Sequence, residues 1–335
     1  MTSTHATTET GLTTHHEGGA VALTPDAVAE FEADAAAEVA PNTRRAYAAD
    51  WRVFATWCER NSYSPLPADA GVVLAFLDHE ERVSGRAWST VSRRVSAIRA
   101  AHRAAGLDAP LPFETFKRWR KARQTRRANA GHSNAADGAR PITAAEVVAL
   151  CEATGADLAG VRDRALFLAT FALGWRMASE VATLRASDLT WTRKGVVINL
   201  RRSKTDQTGQ GRSLALHAGR PGSCPVDALR SLVNATGAAG DDPVFPSVDR
   251  WGNVGARPLT RQAVAGVLAR AADAAEVEGV SPHSFRAGHV TTRRANGEDA
   301  ASIMDATGHR SVAMIRHYDR GAKVDRHNLT AAVGL

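Results

Sequence analysis

The chain has 335 residues, which is enough for two domains of ordinary size. With 44% hydrophobic residues and a mean hydropathy of -0.25, its composition is typical of a soluble globular protein with a sizeable core. Its three cysteines (Cys58, Cys151 and Cys224) lie far apart, which indicates a reducing compartment and no disulfide framework. We find no metal-binding Cys or His pair, no signal-peptide pattern and no apolar run near the ~20 residues that span a membrane. We therefore expect a cytoplasmic protein with no bound metal and no membrane partner.

The charge is positive and unevenly distributed. The net charge is +7 and the pI is near 9.8. Residues 1–43 contain seven acids and no Lys or Arg, so the rest of the chain is strongly basic. A basic body of this size favours a polyanionic partner, most simply nucleic acid. A surface charged only for solubility is the alternative interpretation.

The first half of the chain predicts a tail followed by an all-α domain. Residues 1–23 are rich in Thr, His and Gly with few large apolar groups, which predicts disorder. In residues 24–125 apolar side chains such as Trp51 and Phe54 recur at helical spacing, and the arginines fall largely on other faces. Residues 44–130 hold 17 basic and 8 acidic residues. The pattern predicts a compact α-helical DNA-binding domain whose aromatic residues form its core.

A polar segment separates this domain from a second one. Residues 126–141 have no apolar periodicity and contain Gly, Ala and Asn, as expected of an interdomain linker. Thr143 and Glu146 then have the spacing of a capping box at a helix start. Residues 142–323 predict several helices, one of them strongly apolar (VRDRALFLATFALG), and two strands (GVVINL and SLALHA). We expect a mostly α domain with a small antiparallel sheet, followed by a tail over 324–335.

Near the C-terminus, four side chains have an order and spacing that suit chemistry on a phosphodiester. His283 and Arg286 stand three apart in a segment that is predicted to be helical, so both project from one face. His309 follows, and Tyr318 comes nine residues later. Cations would hold the non-bridging oxygens of a phosphate, and a tyrosine hydroxyl can attack phosphorus to form a covalent intermediate. With 12 histidines and 42 Lys+Arg in the chain, a His-x-x-Arg pair alone is expected by chance.

The wider set of motifs resembles a known family. In chain order they are GWRMASEV with the acidic Glu180, RRSKT with Lys204, HSFR with His283 and Arg286, and GHRSVAMIRHY with His309 and Tyr318. Together they resemble the motifs of the tyrosine recombinases, also called phage-type integrases, over about residues 40–330. The length and two-domain layout look most like the Cre-type members.

The resemblance implies a fold that is mainly α. Residues 24–125 would form an all-α, SAM-like core-binding domain, and residues 142–323 a mostly α catalytic domain with a small antiparallel β-sheet. The segment 324–335 would contact a neighbouring protomer.

The resemblance also implies a mechanism. Tyr318 would attack the scissile phosphate, which leaves a 3′-phosphotyrosine and a free 5′-hydroxyl. Lys204 would protonate the leaving oxygen, while Arg286, His283 and His309 would stabilise the pentavalent phosphorane. Glu180 would orient its neighbours. Because the protein–DNA ester retains the bond energy, neither ATP nor a metal cofactor is expected.

One position departs from the family pattern. The first catalytic arginine of the family stands three residues before the acidic residue, and that position here is Met177. Arg176 stands four before Glu180, and on a helix a shift of one residue rotates a side chain by ~100°. Loss of such a charge donor typically costs roughly 3–4 kcal/mol of transition-state stabilisation. Met177 is either a deliberate substitution that stalls cleavage, which we favour because methionine keeps length and removes charge, or a natural variant in which Arg176 or another cation takes over the role.

Candidate DNA contacts come from both halves of the chain. Arg261, in LTRQAVAGVLAR, lies where the family has an arginine that reads guanine, although a phosphate contact fits it equally well. Other basic residues predict phosphate contacts that set position rather than sequence. They are Arg44, Arg45, Arg93, Arg94, Lys117 and Arg118.

Each residue also has a purely structural interpretation. His283 would be a core histidine, His309 a helix cap, Tyr318 a buried aromatic, Lys204 a solvated turn residue and Glu180 the ion-pair partner of Arg176 or Arg185.

The leading hypothesis is a site-specific recombinase that acts on double-stranded DNA with an inverted-repeat site. It would work as a dimer on each site and as a tetramer in a synapse that exchanges strands through a Holliday junction, in the nucleoid. The first rival is a non-catalytic DNA-binding relative, for which Met177 is the evidence. The second is a type IB topoisomerase-like nicking and closing enzyme, which shares the chemistry without exchanging partners.

Overall fold

The computed structural model describes residues 41–131, 138–201 and 211–318, excluding the side chains of Pro41 and of residues 316–318. The chain divides into two compact units, Met1–Ala135 and Ala136–Leu335. Both predicted tails, 1–23 and 324–335, lie outside the described residues, as do parts of the segment predicted to be a linker. No helix among the described residues is long and apolar enough to cross a membrane.

The first unit is entirely helical over its described residues, 41–131. Its helices are α1 (Pro41–Arg60), α2 (Ala70–Arg82), α3 (Trp88–Ala104) and α4 (Phe113–Asn129). On α1, Phe54 and Cys58 are fully buried and Trp51 packs against the same core, and the ring of Phe54 lies 5.1 Å from that of Phe76 on α2. Aromatic residues of this unit therefore pack mainly as core, as the sequence predicts.

Helix α4 extends further than the predicted domain end at residue 125. It continues through Asn129, so the first residues of the predicted linker are helical. These residues favour a helix intrinsically, and the guanidinium of Arg127 forms an ion pair of 3.4 Å with Glu81 on α2. A tertiary contact thus holds the last turn of α4 in place.

The second unit is mostly helical, with five short strands among its described residues. Its helices are α5 (Ala144–Glu152), α6 (Leu158–Leu173), α7 (Pro225–Thr236), α8 (Arg261–Ala274), α9 (Pro282–Ala295), α10 (Ala300–Thr307) and α11 (Val312–Tyr318). Its strands are β1 (Leu189–Thr192), β2 (Gly195–Leu200), β3 (Arg212–His217), β4 (Pro246–Val248) and β5 (Val254–Pro258). Strands β1, β2 and β3 form one antiparallel sheet in that order, and β4 pairs with β5. The mainly α fold with a small antiparallel sheet confirms the predicted fold class.

The apolar helix α6 forms the centre of the second core and positions the segment that follows it. The Asp157 carboxylate caps its start by accepting a hydrogen bond of 2.8 Å from the Gly160 amide. Gly174 ends it with φ of +63°, a left-handed conformation that favours glycine. Trp175 and Met177 come next, and both side chains are buried in the core. The predicted capping box of Thr143 and Glu146 on α5 is also confirmed.

A buried histidine of α9 packs against this helix end. The Nδ1 atom of His289 lies 2.8 Å from the Phe171 carbonyl oxygen, to which it donates, and its Nε2 atom lies 3.2 Å from Arg293, from which it accepts. Arg293 is in turn paired with Glu298. A Cβ atom at Gly174 would lie 2.3 Å from the His289 ring, so the ring occupies the space that a side chain at position 174 would need.

We predict that Gly174→Ala destabilises the second unit more than Gly237→Ala does. Both glycines end a helix with nearly the same φ (+63° and +67°), so both variants incur the left-handed penalty of about 1 kcal/mol. Only at position 174 does the new methyl group collide with His289, whereas nothing lies within 4 Å at Gly237. Urea unfolding should show an extra loss of roughly 1–3 kcal/mol for Gly174→Ala. Equal losses in the two variants would refute the steric argument.

The buried His289 makes the stability of the protein depend on pH. Burial, chiefly, lowers the pKa of His289 to about 4 from an ordinary value of 6.5. Between these values the unfolded chain binds a proton that the native state excludes, so the free energy of unfolding falls as pH drops from 6.5 to 4. The loss from this residue is on the order of 3 kcal/mol. His289→Asn, whose amide can still donate to Phe171, should flatten that part of the stability curve measured by urea titration. A curve parallel to that of the unmodified protein would show that His289 is not responsible.

Candidate functional site

A buried arginine lies at the centre of the candidate site. Arg286, in the first turns of α9, is only 1% exposed. Its Nη1 atom donates a hydrogen bond of 2.9 Å to the carbonyl oxygen of Gly174, at the end of α6. Its Nη2 atom lies 3.2 Å from Nε2 of His309, in the turn between α10 and α11. One guanidinium thus joins three segments that are distant in sequence.

The hydrogen bonds of His309 assign its tautomer. The Thr307 hydroxyl donates to the carbonyl oxygen of Ile303 at 2.5 Å, so its oxygen must accept the 2.6 Å bond to Nδ1 of His309. Nδ1 therefore carries the proton, and Nε2 accepts from Arg286. Desolvation and then the charges of Arg286, Arg176, His283 and Arg212 lower the pKa of His309 to about 3. The ring is neutral at physiological pH.

His283 lies at the surface of the same cluster. It is exposed in the first turn of α9. Desolvation lowers its pKa, and the positive charges of Arg286 and Arg176 lower it further. His283, Arg286 and His309, which the sequence predicts to act together, are therefore in one place.

In the segment GWRMASEV, residues 177–180 form a turn and not the helix that was expected. The amides of Glu180 and Val181 donate to the Arg176 carbonyl at 2.9 and 3.1 Å, and residues 177–180 are turn. The fully buried Glu180 carboxylate accepts from the Arg176 amide at 2.7 Å and from its guanidinium Nη1 at 2.6 Å. The helical rotation assumed for Arg176 does not apply in this turn.

Within this turn, Met177 and Arg176 face different surroundings. The Met177 side chain is 1% exposed and belongs to the hydrophobic core. The Arg176 side chain is partly exposed, and its charge acts on both His283 and His309. The charge of Arg176 therefore acts on the cluster, whereas the Met177 side chain belongs to the core.

Sequence analysis missed a further cation beside the cluster. The guanidinium of Arg212, at the start of β3, lies 5.4 Å above the ring of buried Trp175. A Cβ atom at Gly308 would lie 2.2 Å from its Nη1 atom, so the guanidinium contacts the backbone next to His309. Because side chains alternate along a strand, Arg212 lies on the same face of β3 as Leu214 and Leu216. This alternation can be seen in the sequence alone, so it could have indicated that Arg212 faces inward.

Two predicted catalytic side chains cannot be placed. Lys204 lies outside the described residues, between β2 and β3. Tyr318 is the last residue of α11, and its side chain is also outside the described part. Helix α11 itself is anchored by the buried Ile315, which packs with Val290 and Ile303 of α9 and α10.

Most of the predicted DNA contacts are exposed. This group comprises Arg44, Arg45, Arg93, Lys117, Arg118 and Arg261. Arg93 also donates to Asp50 at 2.6 Å, so its charge is partly neutralised. Arg94 was predicted to face outward, but it is 7% exposed and is paired with Glu80 and Asp50. Arg94 is thus a buried structural cation, because acids on two other helices meet it inside the unit.

Within residues 41–131, 138–201 and 211–318, no group of three or more His, Cys, Asp or Glu side chains is arranged to hold a metal ion.

Known proteins resemble this chain in sequence and in fold. The sequence profile of the phage integrase family matches residues 140–324. An integrase/recombinase described as a XerD homolog, from Selenomonas ruminantium, is 30% identical over 293 residues, covering 86% of this chain and 84% of the relative. A lambda integrase (75–356) dimer bound to a COC′ core site has a similar fold, with a TM-score of 0.60, 17% identity, and coverage of 90% of this chain and 98% of that one. A lambda integrase tetramer bound to a Holliday junction gives a TM-score of 0.59 at 17% identity, covering 90% and 79% of the respective chains.

The family profile spans more than half of the chain, and the Selenomonas relative reaches 30% identity over most of both sequences. Arg286, His283 and His309 all lie inside the matched region. The chain belongs to the phage integrase family, the tyrosine recombinases.

Proposed function

We propose that this protein is a site-specific DNA recombinase, which cuts and rejoins duplex DNA through a 3′-phosphotyrosine intermediate. The observation that carries the proposal is the convergence of Arg176, Arg286, His283 and His309 at the end of α6. These groups come from three separate segments, and a core packed for stability alone has no need to gather positive charge in this way. An anionic oxygen is the ligand that such a cluster stabilises best.

Arg176 is proposed as the first catalytic arginine. Its charge lowers the pKa of both His283 and His309, and Glu180 holds both its backbone and its guanidinium. Met177 fills the core. We therefore propose that Met177 does not impair catalysis and that the enzyme is competent.

The remaining roles follow from the chemistry. Tyr318 attacks the scissile phosphate as nucleophile, and Lys204 protonates the departing 5′-oxygen. Arg176, Arg286 and His283 stabilise the charge that develops on the phosphorane oxygens. His309 is neutral before DNA arrives, and the negative phosphate raises the pKa of both histidines toward the protonated, donating form.

Double-stranded DNA with an inverted-repeat site is the proposed partner. The first unit, with its exposed Arg44, Arg45 and Lys117, would serve as the core-binding domain, and Arg261 at the start of α8 would enter the major groove. The lambda integrase structures, a dimer on a core site and a tetramer on a Holliday junction, support a dimer on each site and a tetrameric synapse. A protein that acts on double-stranded DNA would work in the nucleoid of the cytoplasm.

The first test uses nicked suicide substrates built on the DNA that the protein itself selects from a random library. We expect a covalent adduct with the full chain and none with Tyr318→Phe, because only the phenol oxygen can form the ester. The adduct is measured by denaturing electrophoresis. Absence of an adduct despite tight binding would favour the non-catalytic relative. Adduct and plasmid relaxation without junction formation would favour the topoisomerase-like enzyme.

The second test separates Arg176 from Met177. We expect Arg176→Gln to slow adduct formation roughly 10²- to 10³-fold, because it removes a positioned charge donor. Met177→Leu should retain the rate, since the replacement is apolar and of similar volume.

Met177→Arg supplies the opposing outcome. It should lower the free energy of unfolding by several kcal/mol without raising the rate, because it buries an unpaired charge in the core. A faster adduct in this variant would restore position 177 as the catalytic one.

A further inference from the structure

Arg212 contacts both the segment that contains Arg176 and the segment that contains His309, and the proposed catalytic roles do not explain these contacts. Its guanidinium lies over Trp175, the residue directly before Arg176, and against the backbone of Gly308, directly before His309. The Trp175 indole Nε1 atom donates to the Ala306 carbonyl oxygen at 2.9 Å, which is a second link between the same two segments. Arg212 itself is fixed by β3, where it pairs with Leu200 of β2.

We propose that Arg212 is a positioning residue of the strand-transfer site, which holds the Gly308–His309 turn against Trp175 and so sets the orientation and tautomer of His309. This inference rests on the proposed function for its catalytic meaning. Its structural part concerns the DNA-free protein and is tested separately.

The contacts favour arginine at this position. A planar guanidinium stacks on an indole face and presents its edge to a backbone at the same time, whereas an ammonium is a point charge with no such plane. Gly308 has φ of +70° and donates to the Met304 carbonyl oxygen as the cap of α10, so the backbone turns sharply where Arg212 meets it. Any side chain at 308 would enter the space of the guanidinium.

Besides its packing, the charge of Arg212 favours the neutral form of His309. The charged and titratable groups that face His309 are Arg286, Arg176, His283 and Arg212, and each lowers the pKa of the ring. With Nδ1 bonded to Thr307, the neutral ring keeps Nε2 directed at Arg286. Arg212 thus helps to keep His309 in one tautomer, facing the centre of the site.

The test in the DNA-free protein is imidazole nitrogen NMR, with the His309 signals assigned by their loss in His309→Gln. In the unsubstituted protein we expect His309 to show a single Nδ1–H tautomer between pH 7 and 5. In Arg212→Gln the two tautomers should mix, and protonation should begin at higher pH. Arg230→Gln is the matched control, since Arg230 stacks on Trp191 at 5.1 Å and is not among the charges that act on His309. An unchanged His309 spectrum in a folded Arg212→Gln protein overturns the proposal.

Two further variants separate packing from charge and keep the test open if Arg212→Gln does not fold. Gly308→Ala retains the cation but displaces it, so it should also mix the tautomers. Gly297→Ala has similar backbone strain (φ of +86°) and nothing within 4 Å, and should leave His309 unchanged. Identical His309 spectra in the two glycine variants would refute the packing role.

The catalytic part is tested by adduct formation on the suicide substrate. We expect Arg212→Gln to lower the rate roughly 10- to 100-fold, because a misplaced catalytic group has an effect of this size. Arg212→Lys should fall between Arg212→Gln and the full chain, and Arg230→Gln should equal the full chain. A normal rate in Arg212→Gln refutes the positioning role even if the enzyme is active. No adduct in the full chain refutes the proposed function, while the NMR result still decides whether Arg212 orients His309.

Discussion

The hydrogen bond between the Arg286 guanidinium and the Gly174 carbonyl oxygen is the contact on which the site depends. A buried cation is strongly destabilising unless polar partners compensate for lost water. The end of α6 supplies such a partner, because the carbonyl groups of a helix C-terminus carry partial negative charge. Gly174, whose left-handed conformation ends α6, has no side chain and so leaves room for the His289 ring. The core therefore determines where the positive charge lies.

Around this contact, arginines with permanent charge lie close to two histidines that can gain or lose a proton. Arg176, Arg212 and Arg286 provide permanent positive charge, and the buried Glu180 is bonded to Arg176. Burial, chiefly, and then the nearby positive charge lower the pKa values of His283 and His309, since a proton on either ring would add to the repulsion. Under the proposed function, the negative phosphate of DNA would remove this repulsion. Electrostatic preorganisation of this kind requires no movement at the moment of reaction.

The sequence predicts the fold class and most of the cluster because both depend on local patterns. Helical spacing places His283 beside Arg286, and an apolar run identifies α6. Helical spacing does not describe the segment of Arg176 and Met177, because a turn stabilised by Glu180 stands where a helix was expected. It also fails at Arg94, whose burial depends on Glu80 and Asp50 from other helices. Tertiary partners of this kind leave no periodic signal in a single sequence.

The ion pairs inside the first unit affect how this protein responds to salt. Arg93 and Arg94 bond to Asp50 or Glu80, Arg123 bonds to Asp78, and Arg127 bonds to Glu81. Cations already neutralised by the protein do not displace the counterions condensed on a nucleic acid, and only displaced counterions make affinity depend on ionic strength. The slope of log affinity against log salt is therefore shallower than the number of basic residues implies. A basic isoelectric point overstates how much of this surface is available to a polyanion.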